Sequence, residues 1–216
     1  MDTNTDTHLP DHGPVCRGVA GLLEGIEAKH LSAPTPCPDY TVRELLGHLV
    51  GLTVAFRDAG EKALGPTTDT PPNEALPRLE DGWRTTLPAR LDELAAAWRS
   101  PDAWQGFTRA GGVDLPAQVA GLVALNELVV HGWDLARSTG QAYDVDRASL
   151  EAVLPFLEPA AASDEASGEA SGEASEEAGE VPAGLFGPPV PVPADAPLLD
   201  RVIGLSGRRP DWRPGE

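Results

Sequence analysis

Basic residues are few. Sixteen Lys and Arg stand against 34 Asp and Glu, for a formal net charge of −18. This speaks against nucleic acid as a partner, because phosphate contacts need cationic side chains. It speaks against an anionic membrane surface for the same reason. Aromatic residues are also scarce, at 5%, and long β-branched runs are few, which argues against a large sheet. Two cysteines, Cys16 and Cys37, are too few for a disulfide framework. No charged start leading into an apolar run marks a signal peptide. No apolar stretch approaches the ~20 residues that a membrane span needs. The expectation is a cytoplasmic protein with reduced thiols, no nucleic acid and no membrane, its oligomeric state left open.

What is present suits helices. Hydrophobic residues make up 41% of 216, and Ala and Leu dominate them. After Pro14, Val15, Val19, Leu22, Leu23 and Ile26 fall at helical spacing. The loop LSAPTPCPDY follows, broken by three prolines. Thr41 and Glu44 then form a capping box before the stripe Val42, Leu45, Leu46, Leu49, Thr53 and Phe56. A third helical pattern runs from about Asn73 to Trp98, with Pro88 expected to kink or split it. SPDAWQGFTRAGGVD reads as a loop. A fourth helix, apolar nearly all round, spans Pro116 to Gly140. A short fifth is expected over 146–157. In the tail, Asp195 is a candidate cap for a short helix carrying Leu198, Leu199, Val202, Ile203 and Leu205.

Composition divides the chain. Residues 1–13 are polar and expected to be frayed, and 14–157 carry the helical bundle. Residues 158–180 repeat Ala, Ser, Gly and Glu with eight acidic residues and no basic ones. Without them 26 acidic residues face 16 basic ones, a net of −10. This stretch has no large apolar side chain and is expected to be a disordered insert, of which about Ser163 to Glu180 can be deleted with the thermal midpoint nearly unchanged. Residues 181–216 form an apolar, proline-rich tail expected to pack back on the bundle.

One constellation could carry chemistry. Glu127 and His131 are four apart on the fourth helix and so share a face. They lie at the margin of the stripe made by Val119, Val123 and Val130, with Asp134 toward the same side. His48 holds a similar marginal place on the second helix. An imidazole and a carboxylate on one helix with an imidazole on another could bind a divalent metal, as bundles often do. Spacing alone leaves the ordinary readings open: a Glu–His helical pair and a satisfied core histidine. His8, His12 and His30 are assigned no role. Cys37 reads as a buried loop cysteine and Trp104 and Trp133 as packing residues. Arg43 and Arg137 read by default as solvated, with contact to an anionic substrate as the alternative. Asp134 either orients an imidazole or faces solvent or another helix.

TPCPDYTVRELLGHLVG and NELVVHGWDLARSTG resemble the two signatures of the mycothiol-dependent maleylpyruvate isomerase metal-binding domain family, within the DinB-like helical-bundle superfamily. FGPPVPVPADAPLLDRVIGLSGRRPDW is similar to the ending of an actinobacterial subfamily of it. The resemblance implies an all-α, up-down four-helix bundle with a long crossover, the short C-terminal tail packing on it. It also implies that His48, Glu127 and His131 ligate a divalent metal. Two departures are visible: Tyr40 stands where such sequences often show Trp, and an acidic spacer and short tail follow the bundle where the isomerase carries a second folded domain.

Two neutral imidazoles and one carboxylate leave a divalent ion one positive charge and open coordination positions. A low-molecular-weight thiol bound there would be held as a thiolate, ready for an electrophile. Mycothiol is the co-substrate that the resemblance suggests, for an S-transferase or isomerase. The alternatives are a metal-dependent hydrolase and a non-enzymatic metal-containing ligand-binding protein. Zinc is the default metal, and nickel or iron fits the same ligands.

Overall fold

The computed structural model describes residues 9–71, 78–166 and 187–215. Within them the helical spacing of the sequence is realised as seven α-helices: α1 Gly13–Leu22, α2 Val42–Gly60, α3 Pro66–Asp69, α4 Trp83–Ala97, α5 Ala117–Thr139, α6 Arg147–Ala166 and α7 Leu198–Leu205. Most of 158–180 lies outside the described residues, but the expected fifth helix does not stop at Leu157. It runs on as α6 to Ala166, through Pro155 and Pro159, over a stretch rich in alanine, a strong helix former.

The bundle is built from α1, α2, α4 and α5. α1 and α2 each pack on both α4 and α5, so the connections from α1 to α2 and from α4 to α5 join opposite corners. The apolar stripes meet in the middle. Leu45, Leu46 and Leu49 of α2, Leu87, Leu91 and Leu94 of α4, and Leu125 and Leu128 of α5 are fully buried. Each such side chain is worth roughly 1.5–3 kcal/mol of burial. The expectation that no apolar stretch approaches the length of a membrane span is corrected by α5, which is long and apolar enough by length and composition, but it is buried among the other helices. Its apolarity is therefore used by the core.

Helix starts follow local chemistry. Thr41 caps α2, and the Glu44 carboxylate accepts from the Thr41 backbone N–H at 2.7 Å. Asp146 caps α6, accepting from the Ser149 N–H at 3.0 Å. Gly140, at φ +69°, ends α5 in the left-handed conformation.

Four expectations need correction. The third helix begins at Trp83, after Gly82 at φ +86°; part of the earlier pattern lies outside the described residues. Of the two outcomes expected at Pro88, a kink or a split, the split does not occur, since the helix is continuous to Ala97. The loop before α5 contains a hairpin, β1 Phe107–Ala110 paired antiparallel with β2 Val113–Pro116. Gly111 and Gly112, both at positive φ, make its two-residue turn. Asp195 does not cap α7, whose N-cap is Pro197 with no side-chain bond.

Residues 1–8 of the start expected to be frayed lie outside the described residues, but His12 within it is buried and Gly13 opens α1. The His12 ring stacks on Trp98 at 5.6 Å, and its Nε2 lies 3.0 Å from the Gly121 carbonyl on α5. Desolvation holds this imidazole down at about 4.

The tail packs back on the bundle. α7 lies against α6, and Ile203 joins Val130 and Trp133 of α5 in a small second core, with Leu199 and Trp212 beside it. α7 ends in a Schellman motif: Arg208 N–H donates to the Ile203 carbonyl and Gly207 N–H to the Gly204 carbonyl, both at 3.0 Å. Gly207 takes φ +79°, and the chain turns back toward α5.

Candidate metal centre

α2 and α5 pack directly on one another, and this brings His48 to Glu127 and His131. The Glu127 Oε2 lies 3.5 Å from His48 Nε2 and 3.2 Å from His131 Nε2. The three ligand atoms all lie within 4.8 Å of one another. Two ligand atoms of a tetrahedral ion at 2.0–2.1 Å stand about 3.3 Å apart. The two distances to Glu127 are close to this value, and the donor set of two imidazoles and one carboxylate suits a divalent metal.

Each side chain is held. His131 is 5% exposed, and its Nδ1 is 3.0 Å from Asp134 Oδ2, one helical turn on. That contact places a proton on Nδ1 and aims Nε2 at Glu127. Tyr40, just before the α2 cap, stacks on the His48 ring at 5.3 Å. The two imidazoles meet edge to face at 4.9 Å. His48 and Glu127 keep 14% and 17% of their side chains exposed, so the centre is closed on the His131 side and open on the other.

The electrostatics suit a cation. Burial alone would push the Glu127 carboxyl up, but the imidazoles of His131 and His48 more than offset this and hold it well below the usual carboxylate range. Burial likewise disfavours charge on His131, yet Glu127 and Asp134 together raise it to about 9.

Asp134 does not face solvent. It is fully buried, and its Oδ2 also accepts from Arg208 of the tail at 3.3 Å. Arg137 was expected to be solvated, but it lies over the Trp133 ring and donates to the Pro210 carbonyl. Asn126, next to Glu127, is buried in hydrogen-bond contact with Ser206 at 3.4 Å. Cys37 is buried in its loop, and burial pushes its thiol up. Arg208, Ser206 and Asn126 were not singled out in the sequence. The only signal was the tail's likeness to family members, which says nothing of where it docks.

Residues 12–136 match the family described as mycothiol maleylpyruvate isomerase N-terminal domain. Two uncharacterized proteins of Mycobacterium tuberculosis are 30% identical over 138 residues, which is 59% of this chain. The chain spans 64% of the length of these relatives. Among solved structures, the mycothiol-dependent maleylpyruvate isomerase is similar with a TM-score of 0.54, and a histidine-to-alanine mutant of it with 0.56. Both are 20% identical and cover 76% of this chain and 75% of their own. At that identity they show the fold alone, a mostly helical bundle.

Proposed function

The chain belongs to the mycothiol maleylpyruvate isomerase N-terminal domain family, and from that premise we propose that His48, Glu127 and His131 hold a divalent metal, zinc by default, at which a low-molecular-weight thiol such as mycothiol is activated for S-transfer or isomerisation. The observation that carries this reading is the convergence of the three ligand atoms within 4.8 Å, closed on one side and open on the other.

A bound divalent ion would supply Lewis acidity, lowering the pKa of a thiol at an open position. The protein supplies the rest. Glu127 is the one anionic ligand, so the site keeps positive charge for a thiolate. Asp134 holds the proton of His131 on Nδ1 and leaves Nε2 free to ligate. Tyr40 packs the His48 ring and fixes its direction. The exposed edge at His48 and Glu127 is where co-substrate and electrophile would enter. Three protein ligands with room beside them suit catalysis better than a closed structural site.

The test is turnover at full metal occupancy. Maleylpyruvate is the first electrophile to try, with and without mycothiol. Turnover that needs the thiol is the expected result. Equal rates with and without it would replace the thiol reading with hydrolysis. No turnover of maleylpyruvate or of a panel of other electrophiles, with or without the thiol, would leave a ligand-binding protein.

A further inference from the structure

Arg208 is a buried cation delivered from far along the chain. Its side chain is 12% exposed and reaches Asp134 Oδ2 at 3.3 Å across 74 positions. That same oxygen is 3.0 Å from His131 Nδ1. Asp134 is 0% exposed, so its charge has no solvent to balance it and depends on these two partners. The Schellman turn at Gly207 aims Arg208 inward. A Cβ on Gly207 would stand 2.8 Å from the Gly187 carbonyl oxygen, which leaves the turn little freedom to move.

We propose that Arg208 is a positioning residue for the metal centre: by holding Asp134 it fixes the His131 imidazole, so that docking of the C-terminal tail and retention of the metal are coupled. The proposal rests on the metal reading above and adds the residue and the segment that tune it.

The reasoning is one of charge. An imidazole that ligates through Nε2 keeps its proton on Nδ1 and donates it to Asp134 as a neutral group. Asp134 then has a single full cation beside it, Arg208. Without that guanidinium the Asp134 oxygen loses one of its two partners and is free to turn away from the ring. That movement withdraws the acceptor that orients His131. Coupling also runs in reverse, because two events that stabilise each other do so by the same factor. Metal binding should therefore tighten the tail against α5.

An ordinary ion pair that only pins the tail would look similar, so the test must separate them. Zinc affinity is measured by chelator competition on the full chain, for the wild type, Arg208→Met, Asp134→Asn and the double variant. Arg208→Met is expected to weaken zinc about tenfold or more, the usual cost of losing a partner behind a ligand. In the Asp134→Asn background the same change should have almost no further effect. An unchanged affinity in Arg208→Met overturns the proposal, as does an equal loss in both backgrounds. Should Arg208→Met fail to fold, Asp134→Asn decides alone: zinc bound as in the wild type would show that Asp134 transmits nothing. A wild type that binds no zinc would sink the metal reading itself, and this inference with it.

Discussion

His12 is buried against two indoles, with Nε2 on the Gly121 carbonyl and Nδ1 without a hydrogen-bond partner among the described residues. It stays neutral in the folded protein down to about pH 4, whereas the unfolded chain protonates it near 6.5. Between these values the unfolded state binds the extra proton, so stability falls as pH falls through the window. The full effect is about 3 kcal/mol. Urea unfolding from pH 7 to 4 should show this loss, and His12→Phe should show a shallower fall over the same range. Parallel curves would mean that His12 is not the group responsible. The residue was hidden in the sequence because a histidine before a helix carries no periodic signal; only the tertiary placement of Trp98 and Trp104 buries it. His48, Glu127 and His131 were legible because each sits at the margin of a strong apolar stripe, and packing α2 on α5 then brings those margins together.

At the scale of the element, two glycines inside helices make opposite predictions. Gly51 lies on the exposed face of α2, and a Cβ there would meet nothing within 4 Å. Gly51→Ala should stabilise the protein by up to about 1 kcal/mol through helix propensity. Gly121 of α5 is covered by two rings: a Cβ would fall 2.6 Å from Trp104 and 2.8 Å from Trp98. The same propensity gain is then outweighed by an overpacking cost of about 1–3 kcal/mol, and Gly121→Ala should lower the thermal midpoint. If both variants shift the midpoint in the same direction, the packing account is wrong. Element identity was legible wherever periodicity ran long, as in α2 and α5. It failed for the hairpin, where four-residue strands are too short to show alternation and only the Gly111–Gly112 pair marked the turn.

At the scale of the molecule, the tail joins both cores: Val202 of α7 belongs to the main one and Ile203 to a smaller one on α5. Ile203 is fully buried there against Val130 and Trp133. Ile203→Ala should cost roughly 2–5 kcal/mol. Because Ile203 sits in the smaller cluster, away from the buried leucines of α2 and α4, the loss should show first as faster hydrogen exchange in α7, with α2 and α4 still protected. Uniform loss of protection would show that tail and bundle unfold as one unit. None of this docking was legible in the sequence beyond an expectation that an apolar tail packs somewhere. Which face it covers depends on the shape of the finished bundle, and so does the arrival of Arg208 at Asp134.

The central claim is that three side chains on two packed helices together hold one divalent ion. Zinc titration of metal-stripped protein, read beside far-ultraviolet circular dichroism, tests it most directly when the wild type is compared with His131→Ala. The account predicts one equivalent per chain in the wild type and almost none in the variant, because two remaining ligands hold a divalent ion weakly. Helicity should be unchanged, since the apolar stripe of α5 is left whole. Equal zinc binding in both proteins, or none in the wild type, would contradict it.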